Sequence, residues 1–366
     1  MTGTTPPFRA DMVGSLLRTA PLKEAREKRA KGEIGAEELK AVEDQEIRGI
    51  IRKQEEIGLQ AVTDGEFRRA WWHFDFLGAL DGVELVQLDH GIQFAGVQTK
   101  AEAPRVVGKI GFSGHPMVKH FEFLKANTTR TPKMTIPSPS MLHYRSGRKM
   151  INMGVYPDME DFYRDLGEAY AGAVRAFAQA GCRYLQLDDV SFAYLCDPEQ
   201  RRMLQERGDD PEKQPHIYAG MINRAIESRP KDMVISMHLC RGNFRSTFVA
   251  TGGYEPIADL LFNEVNVDAY FMEWDTDRAG GFEPLRFLPK GKTVVLGLVT
   301  TKYPELEDVD DLRRKIDAAA EHVPLDRLAL SPQCGFASTW EGNELTADDQ
   351  RRKLETVVRT AGLVWS

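Results

Sequence analysis

Cysteine is scarce in this chain: four residues, Cys182, Cys196, Cys240 and Cys334, are scattered over 366 positions. Thiols so few and so far apart cannot make the disulfide framework of a small secreted scaffold, so reduced thiols are the expected state. Burial, metal binding or nucleophilic catalysis remain as their roles. Long apolar runs are missing too. No stretch approaches the roughly 18 apolar residues of a membrane span, and Met1–Ala20 lacks a signal-type apolar segment, so a cytoplasmic protein is expected. Nor is there a long basic run. The 48 basic and 55 acidic residues give a formal charge of −7, which argues against nucleic acid as a partner. Without repeats, low-complexity tracts or Gly/Ser linkers, a single domain over 1–366 is the simplest organisation.

What is present is an ordinary globular composition that alternates in pattern. Lys23–Lys31 reads as a helix ending at Gly32, and a second run from Ala36 to Ile57 places Leu39, Val42, Ile47, Ile50 and Ile51 at helical intervals. Together they predict a helical extension over 20–57, with its charged residues on a solvated face. Eight short apolar runs then suggest parallel strands with helical crossovers: 10–13, 59–62, 133–136, 183–187, 233–237, 269–272, 293–298 and 327–330. Polar residues collect just after them, at Ser15, Glu66, Asp188, His238, Cys240, Glu273, Lys302 and Cys334. A (β/α)8 TIM barrel puts all such ends on one face, so an α/β barrel is the expected fold, with a doubly wound sheet as the alternative. The glycine-rich stretch 86–120 breaks the alternation and reads as an insertion or hairpin.

His238 and Cys240 stand two apart at a strand end, on one face. Cys334 follows the last strand, and Glu273 ends the strand between them. One imidazole, two thiolates and a carboxylate suit tetrahedral Zn²⁺ better than magnesium or calcium. Two thiolates and a carboxylate would leave zinc with a net charge of about −1, a poor source of hydroxide but able to bind a thiol and lower its pKa. The wide spacing from Cys240 to Cys334 argues against a structural zinc knuckle. Glu66 and Asp188 offer carboxylates to an ammonium group, and Gly14-Ser15 offers an N–H and a hydroxyl to a carboxylate. His73, within the aromatic stretch Trp71–Asp75, suits an acid or a substrate contact, although such stretches more often pack. His143 follows the third strand and is placed to line a second-substrate pocket, while Cys182 and Cys196 read as buried thiols.

At Val13-Gly-Ser15, Asp64-Gly-Glu66, Leu185–Asp188, His238-Leu-Cys240, Met272-Glu273 and Pro332–Gly335 the sequence resembles the catalytic barrel of cobalamin-independent methionine synthases. The resemblance implies that His238, Cys240, Glu273 and Cys334 bind zinc and that Ser15, Glu66 and Asp188 contact homocysteine. Two departures qualify it. The long members carry an additional N-terminal barrel for which this chain has no room, and Lys302 stands where the family places a proton-donating histidine. Lysine is the poorer acid near neutrality. Short, single-barrel relatives include epoxyalkane:coenzyme M transferases, which need the same metal thiolate. Glu66 and Asp188 would repel the sulfonate of coenzyme M, which favours homocysteine. The expectation is a zinc-dependent S-methyltransferase acting on a small thiol and an alkyl donor, folate, corrinoid or other. Coenzyme M alkylation is the alternative, and a non-catalytic thiol sensor a third, disfavoured reading.

Overall fold

The computed structural model describes residues 5–89, 93–94, 97–99 and 102–365. Two helices come first, α1 (Ala20–Ala30) and α2 (Ala36–Ile57). The periodic apolar positions of α2 bury Ile47, Ile50 and Ile51. The Glu38 carboxylate accepts the Gly35 N–H at its start, and Gly58, at φ 100°, ends it in the left-handed region.

Twelve strands lie among the described residues. In chain order they are β1 (Ala61–Val62), β2 (Asp81–Gln87), β3 (Gln93–Phe94), β4 (Val97–Gln98), β5 (Glu102–Gly111) and β6 (Thr131–Pro132). They continue with β7 (Met134–Pro137), β8 (Tyr184–Asp189), β9 (Val234–Leu239), β10 (Ala269–Glu273), β11 (Thr293–Val299) and β12 (Leu328–Pro332). The fold is α/β. Strands β7 to β12 form one six-stranded parallel sheet in sequence order, with helices in the connections. Almost every residue of these strands is buried, as expected for parallel strands covered on both faces, hence their unbroken apolar runs.

Beyond the sheet edges the pairing continues in shorter pieces. Ala10 bridges Leu330 of β12 in parallel, β1 pairs with β6, and Lys133 N donates to Val62 O at 2.8 Å. Leu16 N donates to Gly65 O at 3.0 Å, and Thr63 Oγ1 to Gly14 O at 2.6 Å. Phe8, Val13, Ala61, Tyr184, Phe271, Val295 and Ala329 pack as one small cluster drawn from both ends of this arrangement. Beside it, Lys133 Nζ sits 3.2 Å from Asp11 Oδ1 and 4.0 Å from the Phe271 ring centroid.

Three expectations change in detail. The run 10–13 makes a single bridge rather than a strand, because the Asp11 carboxylate takes the N–H groups of Phe8 and Met12. Leu59–Val62 contributes only the two residues of β1. The irregular segment is an antiparallel pairing of β2 with β5, beginning at Asp81 rather than 86, and residues 116–120 belong to a helix, Pro116–Ala126. Gly91 and Gly96 lie outside the described residues. No helix among the described residues is long and apolar enough to cross a membrane.

Candidate metal centre

The C-terminal ends of β9, β10 and β12 meet around four side chains. His238 is on β9, Cys240 directly after it, Glu273 ends β10 and Cys334 follows β12. One ligand atom from each lies within 4.8 Å of all the others. The two sulfurs are 3.6 Å apart, and two sulfurs each ~2.3 Å from one tetrahedral metal would be about 3.8 Å apart. Both ring nitrogens of His238 are buried, and the ring faces Cys334 rather than any partner outside the cluster. Cys334 is held well below the usual thiol range, first by its hydrogen bond with Cys240 and then by His238, while Cys240 is pushed up. Burial lowers the His238 pKa, but Cys334 outweighs it and lifts the value to about 9. The residues fit a soft divalent ion: buried, sulfur-rich and sharing protons where a cation would sit.

The surroundings fix these side chains. Glu273 accepts the Arg241 N–H at 3.1 Å and faces the Arg278 guanidinium at 3.2 Å. Burial, and then Cys334, push its carboxyl up. Lys302, 2% exposed, donates to Gly242 O (3.3 Å), Asn243 Oδ1 (3.0 Å) and Thr247 O (3.0 Å). It clamps the loop that leaves Cys240.

One cavity joins this cluster to the other strand-end residues. His238, Cys240 and Cys334 line one part, and Ser15, Glu66 and Asp188 another. Ser15 Oγ accepts the Ala337 N–H at 3.3 Å, and a Cβ at Gly335 would come within 2.0 Å of it, so only glycine allows this approach. A Cβ at Gly14 would come within 2.8 Å of Glu66 Oε1. Glu66 adopts φ 58°, unusual for a non-glycine residue, with its N–H capped by Asp64. Its Oε1 accepts from Thr135 at 2.8 Å, while Oε2 has Arg69 at 3.4 Å but no hydrogen bond. Asp188 accepts from Gln186 at 2.7 Å, and burial, then the charge of Glu66, push its pKa up to about 7. Two adjacent buried carboxylates of this kind favour a cationic guest.

His73 also lines the cavity, fully buried, with ring centroids of Trp72 and Phe74 at 4.4 and 4.1 Å. Burial, helped by Arg145, keeps it neutral. His143 lies elsewhere, its Nδ1 on Tyr218 OH (2.9 Å) and its Nε2 on Tyr163 OH (3.3 Å). Burial lowers its pKa to about 4 from 6.5. Such a histidine binds protons more readily in the unfolded chain, so its contribution is full above about pH 6.5 and is lost as pH falls toward 4. Acidification from about pH 7.5 to about pH 5 should cost roughly 2 kcal/mol through this residue. Denaturant melts of His143→Gln should show a correspondingly smaller loss. An unchanged pH dependence would remove His143 as its source.

Sequence reasoning passed over Arg145, which lines the cavity from the helix Ser140–Ser146 after β7. The available signal was a guanidinium two residues beyond His143, in the segment that follows a strand. Lys302 was noticed as an acid, but its clamp on the 242–247 loop involves contacts about sixty residues away in sequence.

The parallel α/β architecture gathers at its strand ends a soft donor set that could hold a metal ion. The chain belongs to the cobalamin-independent methionine synthase family of methyltransferases: the family model for the catalytic domain of cobalamin-independent synthases matches residues 8–362. YxjH of Bacillus subtilis, a protein of uncharacterised function, is 52% identical over 98% of this chain and 95% of its own length. A Listeria monocytogenes structure, provisionally designated a vitamin-B12-independent methionine synthase, is 43% identical, with full coverage of both chains and a TM-score of 0.81. A B12-independent methionine synthase of Shewanella sp. W3-18-1, solved with selenomethionine, shares the fold at 19% identity, with 98% and 97% coverage and a TM-score of 0.71. The 5-methyltetrahydropteroyltriglutamate–homocysteine methyltransferase of Thermotoga petrophila is 23% identical over 92% of this chain, but only 42% of that protein is matched.

Proposed function

We propose that the protein is a zinc-dependent S-methyltransferase that converts homocysteine to methionine. The observation that carries this reading is the single cavity joining the sulfur-rich cluster to the paired carboxylates Glu66 and Asp188. His238, Cys240, Glu273 and Cys334 would hold the zinc. When bound, zinc with this donor set supplies a site that lowers the pKa of a thiol and keeps its sulfur nucleophilic near neutrality. Glu66 and Asp188 take the ammonium group of the amino acid, and Ser15 its carboxylate, which aims the sulfur at the cluster. Trp71, Trp72 and His73 line the cavity with aromatic surface. Relatives named for homocysteine methylation, and one solved with a methionine analogue, support the reading.

The same reading takes the chain as one (β/α)8 domain, with the helical extension 20–57 and the hairpin segment as additions. The Ala10–Leu330 bridge, the β1–β6 pair and the small cluster shared between both ends support a closed ring.

Coenzyme M is the weaker substrate, because its sulfonate would meet Glu66 and Asp188. Among donors, those with a good leaving group suit the site best. A methyl-folate amine must be protonated to leave, yet Lys302 is engaged by three acceptors and His73 is held neutral. Monoglutamyl methyl-folate should therefore be a slower donor than methyl-corrinoid. Incubation with homocysteine, coenzyme M and these donors, read by mass spectrometry, tests the proposal. Asp188→Asn should raise the KM for homocysteine by about tenfold or more, the worth of a charge-assisted hydrogen bond, with zinc content unchanged. Alkylation of coenzyme M in preference to homocysteine would replace this reading by the alternative.

A further inference from the structure

The walls of the cavity differ in their chemistry. Glu66 and Asp188 present acceptors. Trp71, His73 and Arg145 carry four buried polar atoms without any hydrogen-bond partner: Trp71 Nε1, both ring nitrogens of His73 and Arg145 Nε. Natural structures leave few such atoms, and a group of them around one cavity marks where a ligand or ordered water completes the bonding. With His73 neutral, three of the four atoms carry a donating hydrogen: the indole nitrogen, one imidazole nitrogen and the guanidinium Nε. No carboxylate pairs with Arg145 among the described residues; it rests instead over the Tyr194 ring, 5.8 Å from its centroid.

We propose that Arg145, His73 and Trp71 form a subsite for an anionic, acceptor-rich group on the alkyl donor, and that Arg145 sets a preference for acidic donors. This inference rests on the reading that a thiol amino acid occupies the sulfur-rich end of the cavity. The amino acid's carboxylate has its own place at Ser15. Ser15 is anchored on Ala337 after β12, whereas Arg145 stands on the helix after β7 and leans on Tyr194 after β8. Trp71 is stacked on Phe74 and Phe244, and His73 is packed against Trp72 and Phe74, so these aromatic neighbours hold the two rings beside the guanidinium.

Benzoate and benzamide, alike in shape and different in charge, are suitable probes. Their binding to the zinc-loaded, homocysteine-saturated full-length protein can be measured by calorimetry. Benzoate should bind at least about tenfold more tightly than benzamide. Arg145→Met should erase the difference and Arg145→Lys keep part of it, with zinc content and homocysteine affinity unchanged in both. Equal affinities, no binding by either probe, or an acid preference that survives Arg145→Met would overturn the proposal. Competition between benzoate and homocysteine would also overturn it, by giving Arg145 to the amino acid's carboxylate. The readout requires no turnover, so a failure to form methionine, which would sink methyl transfer, is seen separately.

Discussion

Cys240→Ala and Cys334→Ala should each lose metal and turnover together, by more than the roughly 10–100-fold that removal of a ligand's supporting partner costs. The two sulfurs lie 3.6 Å apart on different strand ends, and neither position has a spare thiol nearby: Cys182 and Cys196 make their sulfur contacts with the backbone oxygens of Tyr184 and Phe192 instead. Removing one sulfur leaves three donors and takes one negative charge from a site whose proposed role depends on electron-rich ligands. His238→Ala should behave alike. Glu273→Gln should lose less, because the amide keeps an oxygen donor and Arg241 N and Arg278 already hold the side chain in place. Metal content measured by mass spectrometry beside activity gives the test. Full zinc occupancy in both cysteine variants would dissolve the proposed ligand set, and full activity without zinc would dissolve the mechanism.

Lys302→Met should have the second-largest effect, and on stability and metal retention rather than on proton delivery alone. The buried ammonium satisfies Gly242 O, Asn243 Oδ1 and Thr247 O. Without it, buried acceptors lose a charged donor, a loss of about 2–4 kcal/mol. The loop carrying Cys240 would loosen, weakening zinc by roughly 10–100-fold, as removal of a supporting partner generally does. Thermal melts of the metal-free protein and competition with a chromophoric chelator separate the two losses. If both were unchanged while methyl-folate turnover alone collapsed, Lys302 would be the missing acid and its clamp incidental. Lys302→His, too short to reach all three acceptors, should likewise weaken metal binding rather than speed folate turnover.

Much of the protein was open to reading along the chain. The α/β class, the presence of α1, the extent of α2, and the grouping of His238, Cys240, Glu273 and Cys334 all follow from period and residue type. Those four can be grouped from the sequence because each ends or follows a strong apolar strand. In a parallel sheet in sequence order, such ends are gathered at one edge by topology alone. The same logic named Ser15, Glu66 and Asp188 as neighbours of the cluster.

The sequence by itself determined which elements form, and which chemical groups stand at their ends, because those depend on local periodicity and on the handedness of parallel connections. Tertiary structure alone decided the rest, because it turns on side chains that meet across long stretches of chain. It set His143 on Tyr218 and Tyr163 but His73 and Arg145 in the cavity, and turned Lys302 into the clamp of a distant loop. The run before Ser15 was held to a single bridge, because the Asp11 carboxylate captures the N–H groups a strand would have used. Period and composition carry no record of which buried donor will find an acceptor. That depends on a packing in which every polar group competes for partners at once, and at Trp71, His73 and Arg145 it leaves such groups facing the cavity.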